Sequence, residues 1–148
     1  MDDQLSELMN GPIRHKLKII PDSVTWGGQS NQVFAHQSGD FMKPVIHIVD
    51  DLLKNTQLKV TIYNGQLDLI CDTLGTEAWM RNLTWPELAN FQKSDRKPIR
   101  LDSKPTQTAM FHRKYKQLQF FWVLRAGHMV PHDAPYVALK MLDLILAP

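Results

Sequence analysis

Leu58-Lys59-Val60-Thr61-Ile62-Tyr63 is a run of β-branched and aromatic residues closed by the turn pair Asn64-Gly65, and it reads as a strand. Just before it, Val45, Ile48, Val49, Leu52 and Leu53 recur at i, i+3, i+4, i+7 and i+8, which makes one apolar stripe of an amphipathic helix. Asp40 is placed to cap that helix, and Pro44 is tolerated in its first turn. A helix feeding a strand is the unit of a layered α/β fold, whose strands are parallel and covered on both faces. The expected class is therefore α/β, a mixed sheet with flanking helices.

Downstream, Asp72 can cap a helix carrying Leu74, Ala78 and Trp79, and Thr84-Trp85-Pro86-Glu87 has the form of a capping box. Strands are expected over Ile99 to Leu101, Ala109 to Tyr115 and Leu118 to Leu124. The last two are separated by Lys116-Gln117, which suggests a hairpin, although that dipeptide is a poor tight-turn sequence. A final helix starts near Asp133 with Val137, Met141, Leu144 and Ile145 on its buried face. Upstream, Gly11-Pro12, Pro21-Asp22 and Trp26-Gly27-Gly28-Gln29-Ser30-Asn31 interrupt short apolar pieces. Residues 1–39 thus read as a short helix plus loops belonging to an insertion or cap, and residues 40–148 as the main domain.

With 148 residues, 43% of them hydrophobic, the chain has ample material for one core and is short for two. Its densest apolar run, Phe120 to Leu124, is far below the ~20 residues of a membrane span. The start, Met1-Asp2-Asp3-Gln4-Leu5-Ser6-Glu7, lacks the basic residues and apolar stretch of a secretory signal. Cys71 is the single cysteine, so no internal disulfide is possible. Asn82-Leu83-Thr84 fits the N-glycosylation acceptor pattern, which acts only in a secretory lumen and also occurs by chance in other proteins. The net charge is +2, yet basic residues crowd the stretch from Lys93 to Arg125. Phe111, Tyr115, Phe120, Phe121 and Trp122 interleave with them, which suits a solvated outer face over a buried inner one. No nucleic-acid-binding motif accompanies the charge, so a nucleic-acid partner is not expected.

Two polar residues occupy equivalent places. Asp68 follows the strand ending near Tyr63, and His128 follows the strand ending near Leu124. Catalytic groups of open α/β sheets collect beyond the carboxyl ends of strands. If the two strands are neighbours, the carboxylate can hold the imidazole in one tautomer and leave its other nitrogen as a base. The order Asp then His, with a nucleophile earlier, is that of the α/β-hydrolases. Alone, each residue has a plainer reading, a turn-forming aspartate and a satisfied histidine. A metal site is a third possibility, because His128 and His132 are four apart with Asp133 adjacent. Pro131 between them makes a shared helical face doubtful, and no metal or other cofactor is expected.

Tyr63-Asn64-Gly65-Gln66-Leu67-Asp68-Leu69-Ile70-Cys71 and Ala126-Gly127-His128-Met129-Val130-Pro131 resemble the catalytic aspartate and histidine segments of serine carboxypeptidases. Phe41-Met42-Lys43-Pro44-Val45 resembles the helix before the aspartate strand, and the three segments come in family order. The resemblance implies the C-terminal part of an α/β-hydrolase fold. In it Asp68 would orient His128, His128 would be the general base, and Cys71 and Met129 would line the substrate pocket. It further implies hydrolysis of C-terminal peptide bonds through an acyl-enzyme, peptide or protein C-termini as partners, and a secreted or lysosomal setting. The family's nucleophile sits in a glycine-flanked serine elbow. No Gly-x-Ser-x-Gly occurs here; the nearest stretch, Gly28-Gln29-Ser30-Asn31, lacks the second glycine. The expectation is a fragment, inactive unless joined to an N-terminal part carrying the serine. The competing expectation is a non-catalytic paralogue whose open sheet edge binds a partner or a second copy of itself.

Overall fold

The computed structural model describes residues 3–147. They divide into two units, one up to Lys43 and one from Pro44. In the first, α1 (Asp3–Leu8), a π-helical turn (Met9–Ile13) and α2 (Arg14–Leu17) are followed by α3 (Asn31–Phe41). More of this unit is helical than its glycines and prolines suggest. Ser30 caps α3 by accepting the Val33 amide, which is the reason a helix starts inside the Gln29-Ser30-Asn31 stretch. Asn10 clips a loop by exchanging two hydrogen bonds with the Trp26 backbone, at 2.9 and 2.7 Å. No described residue of this unit is buried, as expected of a segment too short for its own core.

The second unit runs α4 (Ile46–Asn55), β1 (Val60–Gly65), α5 (Thr73–Met80), α6 (Leu88–Lys93), β2 (Lys97–Leu101), β3 (Lys104–Tyr115), β4 (Leu118–Val123), α7 (Val130–Asp133) and α8 (Pro135–Leu146). Its sheet has the order β1-β4-β3-β2. β1 pairs parallel with β4, in register from Val60 opposite Leu118 to Gly65 opposite Val123, and the other pairs are antiparallel. The fold is a mixed four-stranded sheet with flanking helices, as expected. Period-two alternation along β4 sends Leu118 and Phe120 to one face and Phe121 and Val123 to the other. The first face packs with Leu53, Met80, Leu83, Trp85 and Phe91 from the α4–α6 side. The second packs with Ala126, Val130, Val137 and Met141 from the α7–α8 side.

Three local expectations are corrected. Asp40 lies within α3, so α4 starts later, at Ile46, without a side-chain cap. Its inward face is accordingly Ile46, Val49, Asp50 and Leu53, while Val45 and Ile48 are exposed. The Thr84-to-Glu87 capping box does not form either. Buried Asp50 captures the Thr84 amide at 2.8 Å and its hydroxyl at 2.9 Å, and α6 starts at Leu88 uncapped by a side chain. The Lys116-Gln117 hairpin does form, with Lys116 left-handed at φ 49°. Outside tethers help to hold it: Lys116 pairs with Glu87 at 2.6 Å, and the Gln117 amide donates to the Leu53 carbonyl at 2.6 Å.

Candidate functional site

β1 and β4 are adjacent and parallel, so the loops after them leave the sheet on the same rim. The two loops are joined backbone to backbone. Gln66 donates to the Val123 carbonyl and Leu67 to the Ala126 carbonyl, both at 2.8 Å. Gly65 makes this possible. A Cβ there would lie 2.2 Å from the Gly127 carbonyl oxygen and 2.5 Å from that of Ala126, so the position admits no side chain. The requirement is for space, because no described glycine has a positive φ.

Asp68 is buried and its carboxylate is fully engaged. Oδ1 accepts the Ile70 amide at 2.8 Å and the Cys71 amide at 2.9 Å, an Asx turn that an aspartate supplies from its own loop. Oδ2 lies 3.0 Å from His128 Nδ1. Behind the turn, buried Asn64 donates its amide to the Cys71 carbonyl and accepts the Thr76 hydroxyl at 2.8 Å, which ties the loop to α5. The Cys71 amide is the main cause holding the Asp68 carboxyl below its ordinary value of 3.8. His128 and the Ile70 amide add to that effect, and burial opposes it. An ionised carboxylate can only accept, so the proton of the 3.0 Å bond belongs to His128 Nδ1, and Nε2 keeps its lone pair. The His128 side chain is half exposed while that of Asp68 is 5% exposed. A base open to solvent, backed by a buried anion, can take a proton from a reactant and hold the resulting cation.

The turn carrying His128 is held from its other side as well. Arg125 is left-handed at φ 60°, and its guanidinium donates to the Thr108 carbonyl at 2.9 Å. The Gly127 amide donates to Asp133 Oδ2 at 2.7 Å, and Asp133 Oδ1 lies 3.0 Å from His132 Nδ1. His132 therefore bonds Asp133, and the pairing of His128 with His132 as metal ligands does not form among the described residues. A different set does converge: ligand atoms of Asp68, Cys71 and His128 lie within 4.8 Å of one another. Asp68 Oδ1 accepts two backbone amides and Oδ2 pairs with His128 Nδ1, and these hydrogen bonds account for the convergence.

Of the residues singled out in sequence, Asp68 and His128 come together and exposed Cys71 stands beside them. Met129, next to the histidine, is 61% exposed. Asn82 is exposed after α5 and lies outside this cluster, along an apolar groove with Val45, Val49 and Trp79. The sequence marked Gly65 only as a turn residue and Asp133 only as a helix start and a neighbour of His132. It did not show that Gly65 lets the two loops touch or that Asp133 holds the Gly127 amide.

The family described as serine carboxypeptidase matches this chain over residues 2–147. The chain is 56% identical to human retinoid-inducible serine carboxypeptidase over 97% of its own length and 31% of that protein. It is 51% identical to serine carboxypeptidase-like 51 of Arabidopsis thaliana over 98% of its length and 31% of that relative. In three dimensions it superposes on a prohormone-processing carboxypeptidase of Saccharomyces cerevisiae with a TM-score of 0.79 at 26% identity. That superposition covers 95% of this chain and 30% of the other. The chain thus spans about a third of the length of these relatives, and it matches their C-terminal part.

Proposed function

This chain belongs to the serine carboxypeptidase family, and on that premise we propose that it supplies the general base and orienting carboxylate of an enzyme that releases single residues from peptide C-termini. The observation that carries the reading is the 3.0 Å bond between His128 Nδ1 and the buried Asp68 carboxylate, because that bond leaves Nε2 as the free base. The nucleophile comes from a glycine-flanked serine outside these 148 residues. His128 Nε2 takes the serine hydroxyl proton as the oxygen attacks the scissile carbonyl, then gives that proton to the departing amine. Water, deprotonated by the same nitrogen, hydrolyses the acyl-enzyme. Cys71 and Met129 form part of the pocket wall, and their exposure beside the pair supports this. Without the serine the chain is inactive, since such residues act as a unit. Residues 1–39 belong to a cap or insertion. The protein works in a secreted or lysosomal setting, where exposed Asn82 carries a glycan.

The test joins the chain to the N-terminal portion of a serine carboxypeptidase and follows release of the last residue from an N-blocked dipeptide. Activity is expected in the joined protein, with Asp68→Asn lowering kcat by roughly 10⁴-fold. Turnover by the chain alone, or equal turnover by Asp68→Asn and the parent, refutes the proposal.

A second reading has its own observation. Among the described residues β1 pairs with β4 alone, and Leu69 and Ile70 next to its end are 96% and 79% exposed. An open edge beside uncovered apolar side chains favours association, which fits a non-catalytic paralogue that binds a partner or a second copy of itself. Sedimentation of a concentration-dependent dimer, with no activity after joining, would favour it over the enzyme.

A further inference from the structure

The backbone around His128 is clamped on one side only by its contacts with the Asp68 loop. Leu67 donates to Ala126, and the approach of Gly65 blocks movement of the Ala126–Gly127 peptide towards β1. On the other side Asp133 supplies the restraint. Its Oδ2 accepts the amide of Gly127, the residue immediately before His128, at 2.7 Å. The aspartate is itself pinned, since its amide donates to the Met129 carbonyl at 2.9 Å and His132 Nδ1 lies 3.0 Å from its second oxygen. A carboxylate accepting a backbone amide makes a short, strong hydrogen bond, and here that bond closes the loop from Gly127 to Asp133 around the histidine.

We infer that Asp133 is a positioning residue for His128: by holding the Gly127 amide it fixes the ring so that Nδ1 meets Asp68 and Nε2 faces the site. The inference rests on reading His128 as the base. The physical need is plain, because a catalytic group must be held within a fraction of an ångström of its working geometry. The bond to Asp68 constrains only the ring's end, and the peptide behind it has no other acceptor of this strength.

The experiment uses the whole 148-residue chain with ¹⁵N-labelled histidine and records which ring nitrogen of neutral His128 carries the proton. Exchange protection of the Gly127 amide is measured alongside. The parent is expected as the Nδ1–H tautomer. Asp133→Ala is expected to show a mixture of tautomers and at least tenfold faster Gly127 exchange. Asp133→Asn keeps an oxygen acceptor and is expected to restore both signals. If the alanine variant does not fold, Asp133→Glu serves instead, because it keeps the charge while moving the acceptor by one methylene, and it is expected to behave like the alanine variant. A parent-like tautomer and parent-like Gly127 protection in the variant used would overturn the inference. Neither readout depends on turnover. Failure of the enzyme reading would appear as an inactive joined protein with these signals intact, whereas failure of the positioning role leaves activity and removes the effect of Asp133.

Discussion

Replacing Gly65 by alanine tests how the two loops are joined. The added methyl would sit 2.2 Å from the Gly127 carbonyl oxygen, where ordinary contact begins near 3.4 Å. Relief therefore requires the Ala126–Gly127 backbone or the end of β1 to move by about 1.2 Å. Ala126 is fully buried among the α7–α8 core residues, and Leu67 holds its carbonyl, so the strain cannot escape into solvent. Overpacking of this kind costs about 1–3 kcal/mol. A displacement near 1 Å at a catalytic group lowers turnover by roughly 10²-fold. Urea unfolding of the chain reads the first quantity. The His128 tautomer, and kcat of the joined protein, read the second. An alanine variant within ~0.5 kcal/mol of the parent, with an unchanged tautomer and unchanged kcat, would refute the claim that this contact sets the histidine.

Three further outcomes follow from particular side chains. Asp50→Ala strips the acceptor from the Thr84 amide and hydroxyl and is expected to lower stability by about 2 kcal/mol, measured by urea midpoint; a change below ~0.5 kcal/mol would contradict it. His112 is half-buried, stacked on Phe121 at 4.0 Å. Burial is the main cause lowering its pKa from 6.5, with Lys114 and Lys97 adding and Gln119 opposing. The unfolded chain therefore binds this proton first as pH falls, and stability contributed above 6.5 is lost on descending towards the lower folded value; His112→Phe keeps the stack and should flatten the urea midpoint between pH 7 and 5. The Asp68 and Asp133 carboxyls are both lowered from 3.8, chiefly by the Cys71 amide and by His132 respectively. The stability they contribute is complete above 3.8 and disappears as pH drops through their folded values, so an Asp68→Asn chain should lose less stability on acidification below pH 4 than the parent.

The sheet could be read from residue patterns wherever one local signal acted alone. A β-branched run closed by Asn64-Gly65 marked β1, an aromatic run marked β4, and Asp72 capped α5 as its position suggested. The misreadings occurred where a distant group competed for a local one. Thr84 looked like a helix cap, but Asp50, far away in sequence, takes its hydroxyl. Asp40 looked like the start of α4, but α3 extends through it. At the site, Asp68 and His128 were visible because each follows a strand, a rule that depends on chain order. The roles of Gly65 and Asp133 were not visible: Gly65 matters through its approach to a loop some sixty residues away in sequence, and Asp133 through a carboxylate bond to one particular backbone amide, that of Gly127. Periodicity reports which face of an element is buried; it does not report which backbone amide a side chain will find.

The most direct test is labelling with an active-site-directed phosphonate followed by intact-mass measurement, on the chain alone and on the chain joined to a serine-bearing N-terminal portion. The expected result is no adduct on the chain alone and one adduct on the joined protein, lost in His128→Gln. An adduct on these 148 residues by themselves, or a His128→Gln protein labelled as fast as the parent, would contradict a base that waits here for its nucleophile.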